Sequence, residues 1–284
     1  MPRPRWKPLL DRARFRVRIA QALRAGPPFR SRLDRIIIDV THDCDLGCRD
    51  CNRSCGAGQA PATEGIAPEQ VRRFVAESVA AGRRWRRIML EGGEPTLHPR
   101  LEEILDILLR YRREHAPACV IEVCSNGHGE RARRVLASLP PGVTVKDSAK
   151  RPVAEQGHLA FNVAPSDLPA FAGADFGEGC YIHFIFGLGL TRAGYYPHPV
   201  CGGIDRVFGF DVGLKRLPAS AAELAGQMRR LCPWCGHFRE FRPGGRRTSQ
   251  WRRNAGGQPP GALSPSWEAA YRAFRSRPPR LTPY

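Results

Sequence analysis

Residues 44–51 read Cys-Asp-Leu-Gly-Cys-Arg-Asp-Cys, a C-x3-C-x2-C pattern directly after the strand-like run Arg-Ile-Ile-Ile-Asp-Val at 35–40. Thiolates Cys44, Cys48 and Cys51, packed in one loop, can hold three irons of a [4Fe-4S] cube. The fourth iron then lacks a protein ligand and is open to chemistry. A zinc loop competes, but zinc sites usually pair two C-x2-C or Cys/His knuckles, which the x3 spacing fits poorly. Gly92-Gly93-Glu94-Pro95 follows a second strand-like run at 87–91, and Ser125-Asn126-Gly127 follows a third at 120–124. Alone, the Ser-Asn-Gly triplet reads as an ordinary turn.

A second cysteine set, Cys180, Cys201, Cys232 and Cys235, has the pattern C-x20-C-x30-C-x2-C. Four thiolates would ligate every iron of a second cube. A zinc ribbon, with His237 replacing one cysteine, would use the same residues, and spacing does not separate the two. Cys55, Cys119 and Cys124 remain. A free cysteine commonly serves as a small buried apolar residue.

The three strand-end motifs, in this order, resemble those of the radical S-adenosylmethionine (SAM) superfamily. That resemblance implies a [4Fe-4S] cluster on Cys44, Cys48 and Cys51 that cleaves SAM by one electron, giving a 5′-deoxyadenosyl radical that abstracts a substrate hydrogen. It also implies that Gly92, Gly93 and Glu94 meet the methionyl amino group, and that Ser125 and Asn126 meet the ribose or the methionyl carboxylate. A carboxylate beside exposed strand-end backbone suits an ammonium group. The residue before the third cluster cysteine is usually aromatic in the family and packs near adenine; here it is Asp50, so hydrogen bonds would have to hold the base. No Gly-x-Ile-x-Gly-x2-Glu adenine motif occurs in residues 143–180.

The order of hairpin, helix and terminal C-x2-C around the second cysteine set resembles the twitch module, a truncated relative of the SPASM domain that carries an auxiliary [4Fe-4S] cluster. In layout the chain is similar to the 2-deoxy-scyllo-inosamine dehydrogenases, which oxidise an aminocyclitol. The resemblance implies dehydrogenation of a small polar metabolite, with the auxiliary cluster taking the second electron and a flavodoxin- or ferredoxin-type protein as donor. Cys124 or Cys55 could instead return a hydrogen atom, which would make the enzyme an epimerase. A peptide maturase is a further reading, against which only about 33 residues precede the first strand, short of a typical domain. Lys146 and Asp147, ending the fourth strand, and Asn162, ending an expected fifth, are substrate candidates, as are His42 and Asp43 beside the cluster loop.

Strands 35–41, 86–91, 118–124 and 143–147 alternate with helices at 68–81, 99–114 and 129–138, and a weaker strand falls at 158–163. Such alternation implies βα units around a parallel sheet, with functional groups at strand C-terminal ends. The expected fold is α/β, a partial (β/α)6 barrel at 34–174, the count of six coming from the resemblance. A basic extension would occupy 1–33. There Leu9, Leu10, Phe15, Val17, Ile19 and Leu23 could form a helix that caps the core or lies on a membrane surface. The auxiliary-cluster module would occupy 175–240, with a β-hairpin at 190–196 and a helix at 219–230. A Pro- and Arg-rich tail at 241–284 would hold one short helix at 266–275 and be poorly ordered at its end.

The chain has 284 residues and a net charge of +18. That charge admits a polyanionic partner such as nucleic acid. Yet lysine occurs only at Lys7, Lys146, Lys150 and Lys215, so arginine carries nearly all of the 45 basic residues, spread along the chain as in a GC-rich coding bias. No apolar run is long enough to span a bilayer and no signal peptide is visible, so ten cysteines point to metal or redox use in the cytoplasm rather than to disulfides.

Overall fold

The computed structural model describes residues 7–48, 50–55, 65–148, 161–240 and 261–284. A six-stranded sheet organises them, in the order β4-β3-β2-β1-β5-β6. Strands β1 (Arg35–Thr41), β2 (Arg87–Gly92), β3 (Val120–Ser125) and β4 (Val143–Asp147) pair in parallel. Helices α2 (Pro68–Ala80), α3 (Leu101–His115) and α4 (Gly129–Ala137) connect them, and α1 (Lys7–Ala25) precedes the sheet. The strand periodicity sets the two faces. Ile36, Ile38 and Val40 of β1, Ile88 and Leu90 of β2, and Ile121 and Val123 of β3 pack with Phe74 of α2 and with Ile104, Leu105 and Leu108 of α3 in one apolar cluster. β1 is buried along its whole length, as a central parallel strand covered on both faces requires.

β5 (Leu188–Thr191) pairs in parallel with the other edge of β1, and β6 (Gly194–Tyr196) returns antiparallel to it. The expected hairpin is present, but it extends the main sheet rather than building a separate one. β4 and β6 are its two edges among the described residues. The predicted strand at 158–163 is not seen where it can be judged: residues 161–163 form a turn, and the rest of it lies outside the described residues. Residues 219–230 divide into a 3-10 turn at Ala221–Leu224 and helix α7 (Ala225–Leu231). Helices α5 (Tyr181–Phe186) and α6 (Pro199–Phe208) were not expected, because dense glycine and short length hid their pattern.

The C-terminal segment corrects the expectation of a poorly ordered end. Helix α8 (Pro265–Ser276) buries Trp267, Tyr271 and Phe274 against Phe161, Val200, Ile204 and Leu231 in a second apolar cluster. Tyr284 docks on the hairpin, its N–H donating to the Arg192 carbonyl at 2.8 Å and its hydroxyl 3.0 Å from that of Tyr195. No helix among the described residues is long and apolar enough to cross a membrane.

Candidate active site and cysteine cavity

Three strand ends meet through hydrogen bonds that the motifs themselves supply. The Gly93 N–H donates to the Thr41 carbonyl and the Glu94 N–H to the Asp43 carbonyl, each at 2.7 Å. This turn lies flush on the root of the cysteine loop. A Cβ at Gly92 or Gly93 would overlap the carbonyl oxygens of Thr41 or Asp43, so the glycine pair is required by close approach. The Glu94 carboxylate is fully buried. Its Oε1 accepts from Thr96 N–H at 3.1 Å, and from the hydroxyls of Thr96 and Ser125 at 2.8 Å each; its Oε2 accepts from Asn126 N–H at 2.8 Å. Glu94 therefore ties the end of β2 to the end of β3. The Asn126 amide donates to Asp45 at 2.8 Å and approaches Cys44 Sγ at 4.0 Å, which brings the third motif onto the cysteine loop.

Cys44, Cys48 and Cys51 are all part-exposed, at the C-terminal end of β1. Burial pushes the Cys44 thiol up to about 11, with Cys51, Asp45 and Cys48 adding like charge, so both other thiols of the motif lie within electrostatic reach of Cys44. Asp50 and Ser54 hold left-handed φ values of 56° and 53°. The Gly261 N–H donates to Asp50 at 2.9 Å, and the Tyr271 hydroxyl meets that of Ser54 at 2.7 Å, so the C-terminal segment holds both strained residues in place. Asp50, expected near adenine, is 2 % exposed and anchors the loop. Cys55 is buried against Cys51. A hydrogen bond with that thiol, then burial, raises it well above the ordinary range, and its Sγ donates to the Arg53 carbonyl at 3.7 Å.

A polar band that sequence reading missed in part crosses the sheet face opposite the helices. Asp39 is the register partner of Glu91, and Cys124 of Lys146. Burial first, then Glu91, pushes the Cys124 thiol up to about 12, while Lys146 draws it down, so Cys124 lies near both Glu91 and Lys146. Arg53 reaches back from the cysteine loop to Asp39 at 3.3 Å and to Glu91 at 2.8 Å. Burial pushes Asp39 up to about 6 against the pull of Arg53. A signal for the band was available: Asp39 interrupts an isoleucine run, and Glu91 lies two residues after Met89 on the same face. Asp147 ends β4 opposite Ser125, and its side chain lies outside the described residues. Asn162 is not at a strand end; it is buried in a turn, its amide donating to the Tyr271 hydroxyl at 2.7 Å. His42 is buried, while Asp43 is half-buried with its carbonyl taken by Glu94.

The second cysteine set converges. Cys180, Cys201, Cys232 and Cys235 line one cavity with His183, His198 and His237. Cys180 and Cys232 belong to the apolar cluster under the sheet and Cys201 to that of α8, so the cavity lies at their junction. Burial raises all four thiols, each with further like charge from another member of the set or easing from nearby backbone amides. Cys232 Sγ lies 3.6 Å from His183 Nε2. Burial lowers His183 to about 4 and His198 well below the ordinary histidine value, so both rings are neutral. Among the described residues no three His, Cys, Asp or Glu side chains converge tightly enough for a single metal ion. Four cysteine thiols lining one cavity match in number the four thiolates that ligate a [4Fe-4S] cube, and equally those of a zinc site.

No family model matches the chain, and no curated protein matches it. Among solved structures, BtrN in complex with AdoMet and 2-DOIA is similar at 13% identity and a TM-score of 0.42, covering 73% of this chain and 94% of that one. SuiB of Streptococcus suis bound to the precursor peptide SuiA is 16% identical with a TM-score of 0.30, covering 46% of this chain and 27% of that one.

Proposed function

We propose that this chain is a radical SAM enzyme that dehydrogenates a small polar metabolite, a sugar or an aminocyclitol. The observation that carries the reading is the junction of the three motifs: part-exposed Cys44, Cys48 and Cys51 at the end of β1, docked on Gly93 and Glu94 of the β2 turn and on Asn126 after β3. The donor set fits a [4Fe-4S] cluster with one iron open, and the cavity of Cys180, Cys201, Cys232 and Cys235 fits a fully ligated second one. When bound, the first cluster and SAM supply hydrogen abstraction from the substrate, and the second supplies an acceptor for the remaining electron.

The chain's own residues do the rest. Glu94 ties the ends of β2 and β3 through the four hydrogen bonds of its carboxylate, and its N–H to the Asp43 carbonyl adds the end of β1, which orients the groups that meet SAM. Arg53 locks the cysteine loop to Asp39 and Glu91, so loop and polar band move as one. The band offers carboxylates, a thiol and the Lys146 ammonium to a hydroxyl- or amine-bearing substrate at the sheet end where α/β enzymes bind ligands. Cys124, held protonated at neutral pH, is the group placed to return a hydrogen atom if the outcome is epimerisation.

The test is direct. Anaerobically reconstituted, reduced protein should release 5′-deoxyadenosine and methionine from SAM, and Cys48→Ala should abolish this. Substrate conversion should give a product two hydrogens lighter, with no solvent deuterium at the oxidised carbon. Stoichiometric zinc without iron would end the radical SAM reading. A product of unchanged skeleton carrying one solvent deuterium, lost in Cys124→Ala, would replace dehydrogenation with epimerisation.

A further inference from the structure

His198 stands immediately before α6 and caps it, its Nδ1 accepting from the Val200 N–H at 3.3 Å. An amide can only donate in that bond, so Nδ1 carries the lone pair and Nε2 carries the hydrogen. That Nε2 is buried and has no hydrogen-bond partner among the described residues. The ring lines the cavity of the four cysteines. His183 across the cavity is wired the other way. Its Nδ1 lies 3.4 Å from the Pro197 carbonyl, which can only accept, so its Nε2 presents a lone pair towards Cys232. Of these two rings, only His198 has a hydrogen left to give. Buried N–H groups without partners are rare and costly, and a site rich in sulfur acceptors accounts for this one. Cys201 lies in the first turn of the same helix, so the positive end of α6 also faces the cavity.

We propose that His198 is a positioning residue that donates a hydrogen bond from Nε2 to a sulfur of the second cluster and thereby sets that cluster's reduction potential; this rests on the proposed reading of the four-cysteine set as a cluster site. The cluster gains one electron and no proton when reduced, and His198 keeps its hydrogen. A hydrogen bond to sulfur favours the more negative form, so it raises the potential.

Two substitutions separate capping from donation. His198→Asn keeps an oxygen at the Nδ1 position, and asparagine is a preferred N-cap, but it removes the Nε2 hydrogen. His198→Gln keeps an N–H at the Nε2 reach and removes the cap. Both are made where Cys44, Cys48 and Cys51 are alanine, so only the second cluster is titrated. Iron and sulfide analysis of the parent comes first: a parent with no iron overturns the cluster reading itself, independently of His198. With the cluster present, H198N should reduce about tenfold less favourably, 59 mV for one electron, and H198Q should stay within threefold of the parent. A merely structural role predicts the reverse order, and a parental potential in H198N overturns the proposal. If H198N retains no cluster, the wild-type chain labelled with 15N-histidine decides. The reduced second cluster should then show a weak histidine nitrogen coupling and an exchangeable proton in pulsed electron resonance, and the lack of either overturns the inference.

Discussion

Cys124 shows how one residue's chemistry is set by its neighbours. Burial and Glu91 hold its thiol at about 12, against the opposing pull of Lys146. The thiolate is the nucleophile, so at pH 8 Cys124 should alkylate on the order of a thousandfold more slowly than an unfolded-chain cysteine. Mass-spectrometric footprinting with iodoacetamide measures this. Labelling at the rate of a free cysteine would mean that Cys124 is not held beside Glu91. Glu94 makes the complementary point. Its buried carboxylate takes four donors from Thr96, Ser125 and Asn126, so its neighbours on two strand ends fix its orientation.

At the scale of elements, α8 controls the cysteine loop. The Tyr271 hydroxyl is the shared partner of Ser54 and Asn162, each at 2.7 Å, and all three side chains are buried. Tyr271→Phe keeps the ring packed beside Trp267 but orphans both partners. It should cost about 1–3 kcal/mol in chemical denaturation, since leaving a buried polar group unpaired carries its desolvation penalty. It should also release iron from the first cluster faster, because Ser54 loses one of the contacts that hold its left-handed backbone. Unchanged stability together with unchanged iron retention would remove α8 from this role.

Across the whole molecule, buried neutral histidines set the acid limb of stability. His98, His183 and His198 all lie below the ordinary histidine value because burial disfavours their charged form. His98 is fully used as a neutral ring, its Nδ1 accepting from Arg100 N–H at 3.1 Å and its Nε2 donating to the Ile66 carbonyl at 3.0 Å. The unfolded chain therefore binds more protons than the folded one as pH falls through about 6.5, and stability falls with it. Asp39 acts oppositely: its folded value of about 6 lies above the unfolded one, so below pH 6 it recovers some of the loss. The clean window is pH 7.5 to 6. Apoprotein should lose denaturation midpoint across it, and His98→Gln should flatten the slope. A midpoint that rises on acidification would refute the account.

The three strand-end motifs were legible in the sequence because their chemistry is local: ligands to one group must be close in space, and short loops keep them close in sequence. The parallel strands and α2, α3 and α4 were legible because a buried strand and an amphipathic helix each impose a period on their own residues. What only the tertiary structure decided was the pairing of distant segments. β5 joins β1 across some 150 residues, placing the hairpin in the main sheet, and no local pattern encodes that choice. The Asp39–Arg53–Glu91 bridge joins two strands and a loop, so each member reads singly as an unremarkable charge. The C-terminal segment looked like a tail because proline, glycine and arginine dominate it. Its few aromatics decide its fate only where Phe161 and α6 provide a surface to cover, and that surface exists only once the chain has folded.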